Sequence, residues 1–164
     1  MKSLNVSPDY ILTIIFVILL IVCSITTTQA ENANDVPIIQ KWSGNYPVDQ
    51  LNLLPGNQGE SRVGYLGDAA TFTHVWQVFK PGEIVPEVNF SKNFVVFSRN
   101  VDYYNRTSIG KVTLKDEAAK ILAVETRSAR PIEDRVAMSM AVIPRQGIKF
   151  IYAGNQRIPV SADR

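Results

Sequence analysis

Apolar and polar residues alternate along most of the second half of the chain, and this pattern constrains the fold more than any other feature. A period of two places successive side chains on opposite faces of a β-strand. The alternating segments are residues 94–99, 108–114, 120–126, 136–143, 148–152 and 156–160. No helical pattern separates them, which favours antiparallel pairing. The sequence therefore predicts a mostly β domain built on an antiparallel meander sheet.

One segment ahead of these strands has the periodicity of an amphipathic α-helix. Asp68 precedes it in a position that suits an N-cap, and Pro81 and Gly82 follow its end. Its apolar side chains recur at helical spacing: Phe72, Val75, Trp76 and Phe79. We expect a helix over about residues 69–79 that packs across the sheet. The expected fold class is α+β, mostly β.

The chain before this helix is expected to contribute two short strands and a loop. Residues 36–42 suit an edge strand, because Pro37 has no N–H to donate to a sheet. Residues 61–66 alternate in the manner of a second short strand. Prolines and glycines between the two predict a loop that is held to the core by a buried tether over residues 51–54.

The N-terminal segment has the pattern of an export signal. Residues 10–25 form an uncharged apolar run, shorter than the roughly 20 residues that a membrane-spanning helix needs. Thr28 and Ala30 occupy the −3 and −1 positions of a small-x-small cleavage pattern. We expect residues 1–30 to be a signal peptide and residues 31–164 a single exported domain, periplasmic or extracellular. The alternative is an uncleaved membrane anchor, because Lys2 is the only basic residue before the run and Asp9 opposes it.

The one cysteine, Cys23, lies inside this signal segment. Val22 before it does not suit the small residue that a lipoprotein signal requires. The exported domain therefore has no thiol, which excludes disulfide-linked oligomers, cysteine nucleophiles and cysteine-ligated metals. The formal net charge of +2 also argues against a nucleic-acid partner.

The sequence offers no recognisable catalytic, metal-binding or cofactor-binding set. His74 is the only histidine, and no nucleophile elbow or phosphate-binding loop is present. The acids of residues 125–135 are Glu125, Glu133 and Asp134, and they alternate with Arg127, Arg130 and Arg135. Such interleaving is typical of surface ion pairs. We therefore expect a protein without cofactors that is not an enzyme, the alternative being a site assembled from scattered acids.

A polar and aromatic loop over residues 100–107 is the best candidate for a binding site. Recognition surfaces are enriched in tyrosine and arginine, and loops present such residues outward. The candidate partner-binding residues are Asp102, Tyr103, Tyr104, Asn105 and Arg106. The alternative is that the tyrosine rings cover the end of the core and only their hydroxyls meet solvent. The polar crossover over residues 125–135 is a second candidate.

These observations predict an exported, non-enzymatic binding or regulatory module with a protein partner. The alternative is a structural component of a cell-envelope assembly that adds strands at its sheet edges. That role needs a long edge strand without charges, whereas Lys41, Pro37 and Pro159 lie in the expected edge strands.

Residues 88–152 resemble the C-terminal domain of the PrcB-type regulatory subunits of protease complexes. The resemblance rests on the order of the strands, on Val88-Asn89-Phe90 at the entry to the first strand, and on Val142-Ile143-Pro144 at the end of a late one. Pro131 near the start of the long crossover is also similar. The segment 105–108 stands where that family has a T-G-G-Y turn, so no binding residue is carried over. The resemblance implies a non-catalytic partner of an exported protease.

Overall fold

Two β-sheets and one α-helix make up the part of the chain that the computed structural model describes, residues 33–100, 105–127 and 134–161. The strands are β1 (Asn34–Val36), β2 (Gln40–Pro47), β3 (Val63–Leu66), β4 (Asn93–Asn100), β5 (Asn105–Lys115), β6 (Ala118–Arg127), β7 (Arg135–Pro144), β8 (Phe150–Ala153) and β9 (Gln156–Pro159). The helix is α1 (Ala69–Phe79), and Val48–Leu53 and Gly56–Glu60 are short 3-10 helices. The predicted fold class, α+β and mostly β, is confirmed.

The strands divide between a five-stranded sheet and a four-stranded sheet. The five-stranded sheet has the order β1-β5-β6-β8-β9, and the four-stranded sheet has the order β2-β7-β4-β3. Neighbours pair antiparallel except β6 and β8, which run parallel. The order β5-β6 and the hairpin β8-β9 keep the expected sequential pairing, while the crossovers arise because the chain moves repeatedly from one sheet to the other.

The first two strands show one of these moves. The sequence predicts a single edge strand over residues 36–42, but β1 pairs with β5 in one sheet and β2 pairs with β7 in the other. Pro37 follows β1 directly and cannot continue its ladder, so the chain leaves the first sheet there. Both strands lie at the edge of their sheet, as predicted.

The two central strands of the four-stranded sheet, β7 and β4, are buried on both faces. Along β7, the larger side chains pack towards α1, whereas the alternate positions face the other sheet. The helix-facing residues are Val136, Met138, Met140 and Val142. Ala137, Ser139 and Ala141 between them are small, which lets the two sheets approach closely. Burial on both faces also explains the apolar run of residues 94–97 in β4 and that of residues 136–143 in β7, which Ser139 alone interrupts.

Helix α1 covers the outside of the four-stranded sheet and has the predicted bounds. The Asp68 carboxylate accepts hydrogen bonds from the backbone N–H and the hydroxyl of Thr71, both at 2.8 Å, which caps the helix. Its aromatic stripe packs on β2, where the Trp42 and Trp76 ring centroids are 5.1 Å apart. At the helix end the Phe79 ring lies 3.0 Å from where a Cβ on Gly44 would stand, so a side chain there would displace it.

A second core lies between the two sheets. A β-bulge in β5 between Ile109 and Lys111 leaves Gly110 without a partner, so that Ile109 and Val112 both face inward. The buried hydroxyl of Ser139 accepts the Ile109 N–H at 3.1 Å and donates to the carbonyl oxygen of Trp42 at 2.9 Å. This side chain therefore links β7 to the opposing sheet at the bulge.

The structure confirms part of what the sequence predicts for the connecting segments. Leu54 is buried, as the predicted tether requires. The predicted loop over residues 100–107 is wrong at both ends, because β4 extends to Asn100 and β5 begins at Asn105. Residues 105–107 are strand because they pair with β6. Within the described part of the chain, no helix is long and apolar enough to cross a membrane.

Candidate functional site

The structure describes two of the five predicted partner-binding residues. Asp102, Tyr103 and Tyr104 lie outside the described residues, as do the predicted signal segment and residues 128–133 of the crossover. Asn105 is the first residue of β5. Arg106 follows it, exposed and opposite Thr126 of β6. The predicted site is therefore not all loop, since two of its residues belong to the five-stranded sheet.

Arg106 lies on the face of the five-stranded sheet that points away from the core. Thr107 and Ile109 are buried, so alternation places Arg106 on the opposite side of the strand. The same rule applies to β6, where Ile121 packs against the inner core and its neighbours face outward. We call this surface the outer face. It consists of the outward positions of all five strands.

Two aliphatic side chains are exposed at the centre of the outer face. Leu122 and Val124 lie on β6, the middle strand of the five, and are 42% and 67% exposed. Val124 stands beside Gly110 of the bulge, where an added Cβ would meet its Cγ2 at 3.5 Å. Because glycine has no side chain, nothing on β5 covers Val124 at that point. The centre of the face is therefore apolar and open.

The β8–β9 hairpin adds aromatic rings and a guanidinium group to the outer face. Ile151 and Ile158 pack inward, so Phe150, Tyr152 and Arg157 face outward. The Arg157 guanidinium carbon is 5.1 Å from the Tyr152 ring centroid and 5.9 Å from that of Phe150. Its Nη2 also donates to the Tyr152 hydroxyl at 2.8 Å. These contacts hold an exposed arginine in one place.

Positive charge predominates on the outer face. Its basic residues are Arg106, Lys111, Lys115, Lys120 and Arg157. Among the outward strand positions that the structure describes, Asp35 of β1 supplies the one carboxylate, and it is paired with Lys111 at 2.8 Å. The chain as a whole is nearly neutral, with a net charge of +2. The excess of cations is therefore a property of this face rather than of the protein.

A buried polar cluster lies where β4 ends. Arg99 is 3% exposed, and its guanidinium donates to the carbonyl oxygens of Ser61, at 2.7 Å, and of Gly59. Burial lowers the pKa of Arg99, an effect that the charge of Glu60 opposes. These bonds attach the second 3-10 helix to the sheet, which is a structural role.

The acids of the predicted second candidate do not converge. Glu125 accepts a hydrogen bond from the side-chain amide of Asn100 at 2.6 Å, where an arginine partner was expected. Asp134 pairs with Arg135 at 3.5 Å, as the interleaved charges predict. Glu133 lies outside the described residues. The described acids thus have separate partners on different strands.

The remaining features of the described residues provide no catalytic or metal-binding arrangement. His74 is exposed on α1. Across the described ranges, no group of three or more histidines, cysteines and acids is placed to hold a metal ion. An open cleft of about 900 Å³ lies between the ends of β2 and α1, and its charged side chains include the Asp134–Arg135 pair. It brings together no nucleophile and base.

The longest of the outermost strands is poorly suited to strand addition. Among the described edge strands, β2 is the longest, with eight residues. Lys41 is exposed near its start, and Pro47 ends it without an N–H. Charge and proline on an edge strand both oppose pairing with another chain.

Comparison of the chain with protein-family models, with curated proteins and with solved structures found no match in any of the three. The resemblance of residues 88–152 to the PrcB-type domain therefore stays a prediction.

Sequence reasoning missed most of the outer face: Leu122, Val124, Phe150, Tyr152 and Arg157. One signal was present in the segment KILAVET, where both alternating sets are apolar. A strand with one face in the core and one in solvent has polar residues on the second face. The outward Leu122 and Val124 depart from that rule, which makes this surface a candidate binding site.

Proposed function

We propose that this chain is an exported, non-enzymatic protein-binding module that docks its partner on the outer face. The single observation that carries the proposal is the exposure of Leu122 and Val124 at the centre of the face. Protein interfaces have an apolar centre surrounded by polar residues, and tyrosine, phenylalanine and arginine are enriched in them. Tyr152, Phe150 and Arg157 face outward on the neighbouring β8–β9 hairpin, where Tyr152 lies level with Lys120 of β6.

The size of the outer face supports this proposal. Its strands have 32 residues, three in β1, eleven in β5, ten in β6 and four each in β8 and β9, and at a rise of about 3.3 Å and a strand spacing of about 4.8 Å they span roughly 500 Å². A standard interface buries about 800 Å² on each partner. The outer face alone supplies most of that area, and the segment before β5 adjoins it in sequence through Arg106.

The proposal includes a regulatory role beside an exported protease. Its support is the resemblance of residues 88–152 to the regulatory subunits of protease complexes, together with the export signal predicted over residues 1–30. The lack of any thiol after residue 30, and of a motif that pairs a nucleophile with a base, supports a non-catalytic part in such a complex.

Site-specific photo-crosslinking tests the docking face. A photoreactive amino acid replaces Val124 in the cells that export the protein, and a second strain carries it at Ile84, which is 92% exposed and lies outside the sheets. We expect one discrete covalent adduct from position 124 and none from position 84. The Leu122→Ser substitution, added to the first strain, should remove the adduct without lowering the Tm. Equal labelling from both positions, or none from position 124, contradicts the proposal.

A further inference from the structure

The Arg157 guanidinium has N–H donors for which the described residues provide no acceptor. This guanidinium lies over the rings of Tyr152 and Phe150 and donates one N–H to the Tyr152 hydroxyl. A guanidinium has several donors in a planar fork, so most of them stay unused. The ion pairs of the described residues include Lys80–Glu83, Lys111–Asp35, Arg135–Asp134 and Lys149–Glu117. None of these includes Arg157.

The fixed position of Arg157 has an energetic consequence. A long surface side chain loses rotamer freedom when it binds a ligand, and this loss opposes binding. The contacts with Phe150 and Tyr152 have already restricted Arg157, so less of that freedom is left to lose. A planar fork that is restrained in this way matches a carboxylate, which accepts two parallel hydrogen bonds.

Other cations extend the positive surface from Arg157 towards the centre of the face. Tyr152 is directly opposite Arg157, and Lys120 and Tyr152 each follow the register pair Ala119–Ile151 on neighbouring strands. Lys120 is exposed and takes no part in the four described ion pairs. The apolar pair Leu122 and Val124 continues along the same strand.

From this arrangement we infer that the partner presents an acidic segment, one carboxylate of which binds Arg157 while apolar side chains next to it cover Leu122 and Val124. The inference rests on the proposed function and adds the chemistry of the partner to it. Charge complementarity selects an acidic protein surface, because the outward positions carry five basic residues and one already paired carboxylate. The apolar centre selects a protein over a nucleic-acid backbone, which offers no aliphatic groups to cover it.

Two peptides test whether a carboxylate of the partner binds Arg157. The first is a twelve-residue peptide with four glutamates and two leucines in a Gly-Ser background, and the second has glutamines in place of the glutamates. Binding to the purified protein is measured by titration calorimetry and by the NMR signals of the arginine side chains. We expect the glutamate peptide to shift the Arg157 signal and to bind at least about ten-fold more tightly than the glutamine peptide, since a hydrogen bond to a charged group is worth about that factor.

Matched variants locate the effect. Arg157→Gln should weaken binding of the glutamate peptide about ten-fold, and Lys92→Gln, which removes an exposed cation outside the sheets, should leave it unchanged. Arg157→Lys keeps the charge but not the planar fork, so its affinity for the glutamate peptide should lie between those of the Arg157→Gln and Lys92→Gln variants. The inference is overturned if both peptides bind the protein equally well, or if the Arg157→Gln variant binds the glutamate peptide as tightly as the unsubstituted protein does.

Two outcomes separate this inference from the proposed function. If position 124 crosslinks a partner but the two peptides bind alike, the docking face stands and the carboxylate contact fails. If the peptide depends on Arg157 but position 124 gives no adduct, the carboxylate contact stands and the docking face fails. Binding to phosphatidylglycerol vesicles that depends on Arg157, with no peptide binding, overturns the inference in favour of a membrane surface.

Discussion

The hydroxyl of Ser139 accepts a hydrogen bond from the backbone N–H of Ile109 across the space between the two sheets, at 3.1 Å. Ile109 precedes the bulge of β5, so its N–H lies in a region where the ladder to β6 shifts register. A buried donor without a partner costs about 1–3 kcal/mol. This single side chain therefore stabilises both the bulge and the position of the outer face above the four-stranded sheet.

Removal of the Ser139 hydroxyl should destabilise the fold. We expect Ser139→Ala to lower the free energy of unfolding by about 1–3 kcal/mol, measured by chemical denaturation. Ser43→Ala is the control, because the Ser43 hydroxyl lies on exposed β2 and contacts only the Ser139 hydroxyl, at 3.3 Å. Its effect should stay below about 0.5 kcal/mol. A loss from Ser139→Ala no larger than that from Ser43→Ala would contradict the stabilising role of the hydrogen bonds from Ser139 to Ile109 and Trp42.

The glycine of β3 should tolerate no side chain. A Cβ on Gly64 would overlap Gln58 Oε1 and lie 2.5 Å from Phe97 Cζ, and Gln58 Oε1 accepts the Tyr65 N–H at 2.6 Å. We expect Gly64→Ala to lower the free energy of unfolding by about 1–3 kcal/mol or more. Gly110→Ala is the control, since its Cβ would make ordinary contacts of 3.5 Å and more. A neutral Gly64→Ala variant in thermal and chemical denaturation contradicts this packing.

The fold class and the helix followed from the sequence, while the strand order and the outer face did not. The spacing of Phe72, Val75, Trp76 and Phe79 and the cap at Asp68 are local, so residues 69–79 were predictable. Alternation shows which residues of a strand share a face but not which strands are neighbours. Nothing local indicates that β6 and β8 pair in parallel, or that the chain changes sheets after Pro37. The outer face joins residues of β5, β6, β8 and β9, and it becomes visible only with that order.

The phenol of Tyr46 gives the stability a distinct pH dependence. Burial raises its pKa from 10.0 to about 12. Between those two values the unfolded chain releases the proton and the folded chain keeps it, so the free energy of unfolding falls as the pH rises. The phenol leaves the free energy of unfolding unchanged below about pH 10 and lowers it by about 2–3 kcal/mol as the pH rises through about 12. Tyr46→Phe should remove this part of the pH profile, measured by denaturation at several pH values.

The same hydroxyl makes no stabilising bond at neutral pH. Tyr46 Oη is buried and has no hydrogen-bond partner among the described residues. We therefore expect Tyr46→Phe to raise the free energy of unfolding at pH 7 by about 1 kcal/mol. Tyr65→Phe should do the opposite, because the Tyr65 hydroxyl donates to the Pro159 carbonyl oxygen and accepts the Ser161 N–H, both at 2.9 Å. A destabilised Tyr46→Phe variant would contradict the conclusion that the Tyr46 hydroxyl makes no stabilising hydrogen bond.

The tyrosines before β5 distinguish the two interpretations of that segment. The double substitution Tyr103→Ala and Tyr104→Ala should leave a cooperative unfolding transition and weaken the partner that crosslinks at position 124. Binding is measured by co-purification of that partner, and folding by thermal denaturation. If the transition is lost instead, the rings cover the end of the core, and the binding surface is limited to the outer face.

The affinity of the Val124→Arg variant for the crosslinked partner tests the docking face most directly. Arginine at this position places a bulky charge at the apolar centre of the outer face without entering the core, since Val124 is 67% exposed. We expect the Kd to rise at least about 100-fold, a loss of about 2.7 kcal/mol, while the Tm stays within about 2 °C. Ile84→Arg, the matched substitution outside the sheets, should leave the Kd unchanged. An unchanged Kd for Val124→Arg would contradict the assignment of the outer face as the docking site.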